Sequence, residues 1–362
     1  MSDTELARRI RGELPPEAFR TNPMRLLIAA LLLAAILGLS ICLATLPLPV
    51  YAAIPGALLL GNLYVSLFFL GHEVGHGAVS RVRAVQTLVM YFAFAIFFLS
   101  PHLWRVWHNR VHHGYTNRAA YDPDNFGDVE SYERYPSTNF LLKVGPGSGH
   151  WLSVIYFPTW FTILSQGVLW VKSRRLAGFV LLNRVRAGAD SALMAALWIA
   201  LGAWLGAYRS LITILIPMMT ANTVAISYIS TNHLLRPQVD QSDALASSMS
   251  VTTYRWLDRL HFNFSHHVEH HLVPSMNTSY APLAREVLQR LAGARYLAPR
   301  HWQTLILLFR TPRVQDGKRA LVDPRRHLQV MFDDIEAALH RGDTRVTVQP
   351  FEPTAPLEAA VS

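Results

Sequence analysis

The sequence predicts an all-α integral membrane protein, with four transmembrane helices in two hairpins and a cytoplasmic helical cap. Three observations carry this. Hydrophobic residues make up 51% of the chain and charged residues 16%, and the apolar residues come in long blocks. Two pairs of blocks are each joined by a short linker. Histidines gather just beyond the block ends.

Residues 1–23 form a polar cytoplasmic segment. The first hairpin, 24–71, is written as Met24 to Leu48 and Tyr51 to Gly71, each long enough for a hydrocarbon core that takes about 20 apolar residues. Arg8, Arg9, Arg11, Arg20 and Arg25 precede or open the first span, whereas the "PLPV" linker carries no Lys or Arg, so the amino terminus is expected in the cytoplasm of an inner or plasma membrane. No short apolar segment ends in a small-residue cleavage pattern, so the first span is expected to be retained. Residues 72–188 form a cytoplasmic and interfacial region. Within it Thr87 to Leu99 is too short to cross and suits an interfacial or re-entrant segment. Trp151 to Val171 is long enough, but Pro158, Ser165, Gln166, Gly167 and several aromatic residues also suit a helix near the headgroups. The histidines on either side of it share one membrane face only if an even number of crossings separates Val111 from Thr231. The segment is therefore expected not to cross.

The second hairpin, 189–230, consists of Ala189 to Ala207 and Leu211 to Ser230, separated by Tyr208, Arg209 and Ser210. Lys172, Arg174, Arg175, Arg184 and Arg186 place the preceding stretch on the cytoplasmic side. Residues 231–345 form a second cytoplasmic region with an amphipathic helix near "HLQVMFDDIEAALHRG", and 346–362 read as a disordered tail. The net charge of +9 fits a membrane-facing surface; basic and aromatic residues are not interleaved as nucleic-acid binding would need. The single cysteine, Cys42, lies in the first span, which excludes an intrachain disulfide, a cysteine zinc site and an iron–sulfur domain in this chain. Any electron carrier is then a separate molecule.

Four histidine groups follow: His72 and His76 in "GHEVGHG", His108, His112 and His113 in "HNRVHH", His233 in "STNHLL", and His266, His267, His270 and His271 in "SHHVEHH". Residues three or four apart share a helix face, so His72 with His76, His108 with His112, and His267 with His270 or His271 can each aim at a common point. Such clustering reads as metal binding, and so many imidazoles exceed the needs of one ion, so two ions are expected. Ligand histidines are neutral and usually donate their other ring nitrogen to a carboxylate or amide, for which Glu73, Asn109, Asp122, Asp124, Asn263 and Glu269 are candidates. His102, His150, His261, His301, His327 and His340 read as surface or packing residues. Trp104, Trp107, Phe262 and Phe264 flank the groups as candidate lining for an apolar route, or as an interfacial aromatic belt.

"HEVGH", "HNRVHHGYTN" followed by "DPD", and "HHVEHHLVP" resemble the three histidine boxes of the membrane fatty acid desaturase superfamily, in the order and spacing of its acyl-lipid branch, over about residues Met24 to Pro282. The resemblance implies a mushroom-like helical fold and two non-haem iron ions held by His72, His76, His108, His112, His113, His267, His270 and His271, with His233 as the additional histidine after the fourth span. It also implies that dioxygen and two electrons remove hydrogen from a fatty acid or acyl-lipid substrate within the bilayer, the electrons arriving from a ferredoxin, rubredoxin or cytochrome b5 type of donor. The first box has three residues between its histidines where the acyl-CoA branch has four, and no "HPGG" haem motif is present. Related hydroxylases, ketolases and terminal-alkene-forming decarboxylases use similar boxes. Two other readings compete: a membrane zinc peptidase, since "HEVGH" satisfies His-Glu-x-x-His with Glu73 as base, and a metal transporter, whose ligands would lie near the bilayer midplane.

Overall fold

The computed structural model describes residues 1–119, 121–124 and 126–352. Among these, five helices are long and apolar enough to cross a membrane: Met24–Thr45 (α2), Val50–Gly75 (α3), Trp151–Arg175 (α6), Arg184–Leu205 (α7) and Ala207–His233 (α8). A short helix, Asp3–Glu13 (α1), precedes them. The α2 helix stops at Thr45 ahead of Pro47 and Pro49, and α3 begins directly after Pro49, so the prolines set the hairpin turn. Leu31, Leu37, Leu197, Ile199 and Trp204 on α2 and α7 are each more than 60% exposed, an arrangement that water would penalise and lipid tails would not. The α3 and α8 helices lie inside. They approach so closely that a Cβ on Gly61 would sit 2.6 Å from the carbonyl oxygen of Pro217.

Arg83–Phe97 (α4) and Pro101–Tyr115 (α5) meet at 104°, the geometry of a broken span or re-entrant loop, around Thr87 to Leu99 where the sequence predicts such a segment. Phe98 supplies the bend with φ of 53°, and the Ser100 hydroxyl restarts the helix by accepting the His102 amide hydrogen. The α6 helix passes the same length and apolarity test as the other four, so length does not select four spans. The rings of His112 and His233, which lie on either side of α6 and α7 in the chain, are 4.7 Å apart. Along its length α6 is tied to α8: the Thr162 amide donates to Asn222 (2.9 Å) and the Tyr156 and Ser230 hydroxyls are 2.7 Å apart.

After α8 the chain forms His267–Leu272 (α9), Ala281–Ala292 (α10), His301–Arg310 (α11) and Phe332–Arg341 (α12). One small sheet accompanies the mostly helical chain. Val314–Asp316 (β1), Ala320–Asp323 (β2), Leu328–Met331 (β3) and Gln349–Pro350 (β4) form an antiparallel sheet in that order. "LQVM" therefore belongs to a strand, in which Val330 is buried while its neighbours are less so, and the amphipathic helix starts only at Phe332. Residues 346–352 also differ from the expected tail. β4 pairs with β3, Phe351 is buried, and its amide donates to the His327 carbonyl at 2.9 Å. One aromatic side chain finding an apolar slot orders a stretch that has no periodic pattern. The remainder of that tail, 353–362, lies outside the described residues. At the other terminus α1 buries Leu6 and Ile10 in a cluster with Val268 and Leu272 of α9 and Val287 and Leu288 of α10. The Asp3 carboxylate anchors it by accepting the Ala244 amide hydrogen (3.0 Å).

Candidate metal centre

The last turn of α3 carries His72 and His76 on one face, with ring centroids 4.6 Å apart. Gly75 lies between them, and a Cβ there would fall 2.3 Å from Trp104. Its absence lets the indole lie against α3 and stack on His108 (4.8 Å, 24°). Gly77, with φ of 80°, ends the turn. In α5 the backbone winds as a π-helix over Trp107–His112. This wider turn aligns residues five apart, and the Nε2 atoms of His108 and His113 lie 3.2 Å from each other. His112 is rotated away from them, so the expectation that His108 and His112 share a target is corrected by the local winding. On α9, His267 and His271 do share a face (Nε2 atoms 3.1 Å apart), while His270 points elsewhere.

The histidines sort into two groups, each with ligand nitrogens within 4.8 Å of one another: His72, His76, His108 and His270, and His112, His233, His267 and His271. Nε2 atoms converge at 2.8 Å between His72 and His108 and at 2.7 Å between His233 and His267. His113 stands between the groups, its Nε2 3.0 Å from that of His270 and its ring 4.5 Å from that of His271. Burial and the neighbouring imidazoles hold His267, His270 and His271 well below the ordinary histidine pKa, so their rings are neutral with lone pairs available. The buried Nε2 of His76 has no hydrogen-bond partner. Nitrogen donors crowded this closely, neutral, and with such an orphan fit a pair of metal ions and fit hydrogen bonding among themselves poorly.

Asp122 and Asp124, two of the six outer-shell candidates, flank His112. Their carboxylate oxygens lie 3.2 and 3.1 Å from its Nδ1, which leaves Nε2 for the second group. Trp107 Nε1 donates to Asp124 (2.6 Å) and the Asn117 amide to Asp122 (2.8 Å). Burial pushes the Asp124 carboxyl up to about 6, whereas His112 and the Asn117 amide hold Asp122 below its ordinary value despite burial. The other four candidates hold the scaffold rather than the rings. Glu73 lies 3.6 Å from Arg25 and accepts the Thr278 amide hydrogen. Asn109 donates to the Gly75 carbonyl, and Asn263 to that of Thr278. Glu269 is fully buried and accepts from Ser250 (2.6 Å), Arg285 and Tyr296; burial alone would raise its pKa, but His266, Arg285 and Ser250 bring it to about 2.

His266 belongs to neither group; its Nδ1 is 3.7 Å from Glu269. The six histidines assigned to surface or packing roles also stay out of both groups. Side chains among them have other partners: His261 meets the Tyr228 hydroxyl at 3.0 Å, His102 meets Asp190, His150 accepts the Leu152 amide hydrogen, and His301 Nε2 lies 3.2 Å from the Ser227 carbonyl. Sequence reasoning missed Ser250, whose hydroxyl accepts the amide hydrogens of His267 and Val268 and so caps α9 from a distant loop. It also missed Asn117, whose side chain donates to the carbonyls of His233 and Ser247. Only the "YTN" following the second group hinted at the latter. Beside both groups runs a narrow apolar cavity lined by Phe68, Trp104, Trp107, Phe161, Leu164 and Phe264, so three of the four flanking aromatics line it. Phe262 lines a second pocket across Phe264.

Helices with exposed apolar faces, two imidazole groups that could each hold a metal ion and an adjoining apolar cavity point to a membrane protein with a histidine-rich site. Residues 48–303 match the fatty acid desaturase family, and the chain belongs to it. It is 26% identical over 238 residues to the sn-1 oleoyl-lipid 12-desaturase of Synechocystis sp., a match covering 61% of this chain and 64% of that relative. The family is one of oxidoreductases.

Proposed function

We propose that the protein is an oxygen-dependent di-iron acyl-lipid desaturase. The observation that carries this reading is the pairing of two four-nitrogen histidine groups with an apolar cavity that touches both of them. His72, His76, His108 and His270 would hold one iron, and His112, His233, His267 and His271 the other, with His113 between. Iron bound there supplies redox chemistry in which dioxygen, two electrons and two protons convert a –CH2–CH2– unit to –CH=CH– and two waters.

The chain does the rest. Trp104, Trp107, Phe161 and Phe264 keep water from the reacting carbons and confine an acyl chain beside the histidines. Asp122 and Asp124 fix the tautomer of His112. The name of the Synechocystis relative favours a lipid-linked acyl chain, as does the three-residue spacing of the first box. The peptidase reading loses support because Glu73 faces Arg25 and the Thr278 amide. The test is expression in a host of known lipid composition followed by mass spectrometry of its acyl chains, comparing wild type with His270→Ala. A new double bond made only by the wild type is the expected result. A hydroxyl group, a shortened terminal alkene, or no change with two irons bound would refute desaturation.

A further inference from the structure

The bend between α4 and α5 brings three arginines together at the end where α4 and α7 begin. Arg83 stands in the first turn of α4 and Arg186 in the first turn of α7, both exposed, while Arg105 of α5 is buried. The Arg105 guanidinium makes one hydrogen bond among the described residues, from Nη2 to the Thr87 hydroxyl (2.9 Å), and its buried Nε has no partner. The charges of Arg83 and Arg186 both oppose that of Arg105. Like charges gathered in this way repel one another, and an anion placed among them relieves the repulsion.

The chain supplies no such anion. Asp190 is the only acidic residue in α4, α5 and α7, and it is already engaged. It accepts from the hydroxyls of Tyr91 (2.9 Å) and Ser100, and its one ion pair among the described residues is with His102, whose Nδ1 lies 3.0 Å away. Beyond the arginines the surface turns apolar. Arg83, Thr87 and Tyr91 follow one another at four-residue steps along α4, and the neighbouring stripe holds Leu88 and Phe92, 59% and 51% exposed. Leu193 is likewise exposed on α7. Basic groups at the start of the helices and bare apolar side chains further along them match the two halves of a phospholipid.

We propose that Arg83, Arg105 and Arg186 form a binding site for the phosphate group of an anionic phospholipid whose acyl chains lie along Leu88 and Phe92. The site stands apart from the reaction at the histidines and does not depend on how that reaction is read. Guanidinium groups present N–H donors in a planar fork that fits phosphate oxygens, and the unpartnered Nε of Arg105 is one such donor. A zwitterionic headgroup fits worse, because its cationic end would join the same group of like charges. A lipid held there ties α4 to α5 and α7 across the bend, one turn before His108.

The test uses the full-length protein in neutral detergent, titrated with phosphatidylglycerol, phosphatidylcholine or inorganic phosphate, with bound lipid counted by native mass spectrometry. Wild type should bind phosphatidylglycerol at least about tenfold more tightly than phosphatidylcholine. R83Q/R186Q, which alters exposed side chains only, and R105Q should each lose that preference. R174Q/R175Q, which removes two exposed charges from the end of α6, should keep it. If R105Q does not fold, R83Q/R186Q decides alone. Equal binding of the two lipids by wild type, or wild-type preference in R83Q/R186Q, would overturn the site. The same loss in R174Q/R175Q would also overturn it, by showing a diffuse attraction to basic surface. Displacement of phosphatidylglycerol by low-millimolar inorganic phosphate would assign the arginines to a free anion and overturn the lipid.

Discussion

Replacing Asp122 with Asn removes one of two charges beside His112 without changing the size of the side chain. Three donors converge on the Asp122 carboxylate: His112 Nδ1 at 3.2 Å, the Asp124 amide at 3.1 Å and the Asn117 amide at 2.8 Å. An amide side chain has a single oxygen, so whichever way the substituted side chain is turned, at least one buried donor faces its NH2 group. That costs about 1–3 kcal/mol of stability. The effect on metal binding is separable. Loss of a carboxylate behind a ligand histidine lowers affinity about 10- to 100-fold. Here Asp124 remains 3.1 Å from the same nitrogen, and without Asp122 its pKa should fall from about 6, making it more fully charged. The expected loss is therefore near tenfold, or about 1.4 kcal/mol. It should fall on the group containing His112 and spare the group of His72, His76, His108 and His270. Competitive titration with a chelator, counting metal ions per chain, reads this directly. Equal weakening of both ions, or wild-type binding of both, would refute the assignment of Asp122 to one of two distinct sites.

Acid should release the metal. His267, His270 and His271 have pKa values well below 6.5 when folded and near 6.5 when unfolded, so below that pH the unfolded chain binds more protons and both folding and metal retention weaken as pH falls. Metal content after dialysis should be flat above about pH 6.5 and decline below it; loss on the alkaline side instead would contradict the sign. Ser250→Ala removes the α9 cap and a donor to Glu269, and should cost about 2 kcal/mol, seen as a lowered melting temperature of the metal-loaded protein in detergent, with Ser250→Thr largely restoring it. An unchanged melting temperature would refute the cap. His266→Ala should keep two metals per chain while His270→Ala loses one, and Glu73→Gln, which weakens only the Arg25 contact, should also keep two by the same metal count. A metal lost from either His266→Ala or Glu73→Gln would place that residue closer to the ions than its contacts indicate.

Much of the site was legible before any coordinates. Apolar block length marks the candidate spanning helices because a hydrocarbon core demands a minimum length. Four-residue spacing puts His72 with His76 and His267 with His271 because the α-helix repeats every 3.6 residues. The "DPD" after the second group named two carboxylate candidates, which only the coordinates set behind His112. Tertiary structure alone decided the partition of ligands. A π-turn sends His108 and His112 to different groups, and the crossing of α3, α5, α8 and α9 determines which group each ring joins. It also placed Ser250 under α9, set α1 beside His271, and folded Leu328 to Met331 into a sheet. Spacing along a chain fixes which side chains share a face of one helix, because that depends on bonds a few residues apart. Which faces then meet depends on contacts between residues far apart in the sequence, and no local repeat encodes those.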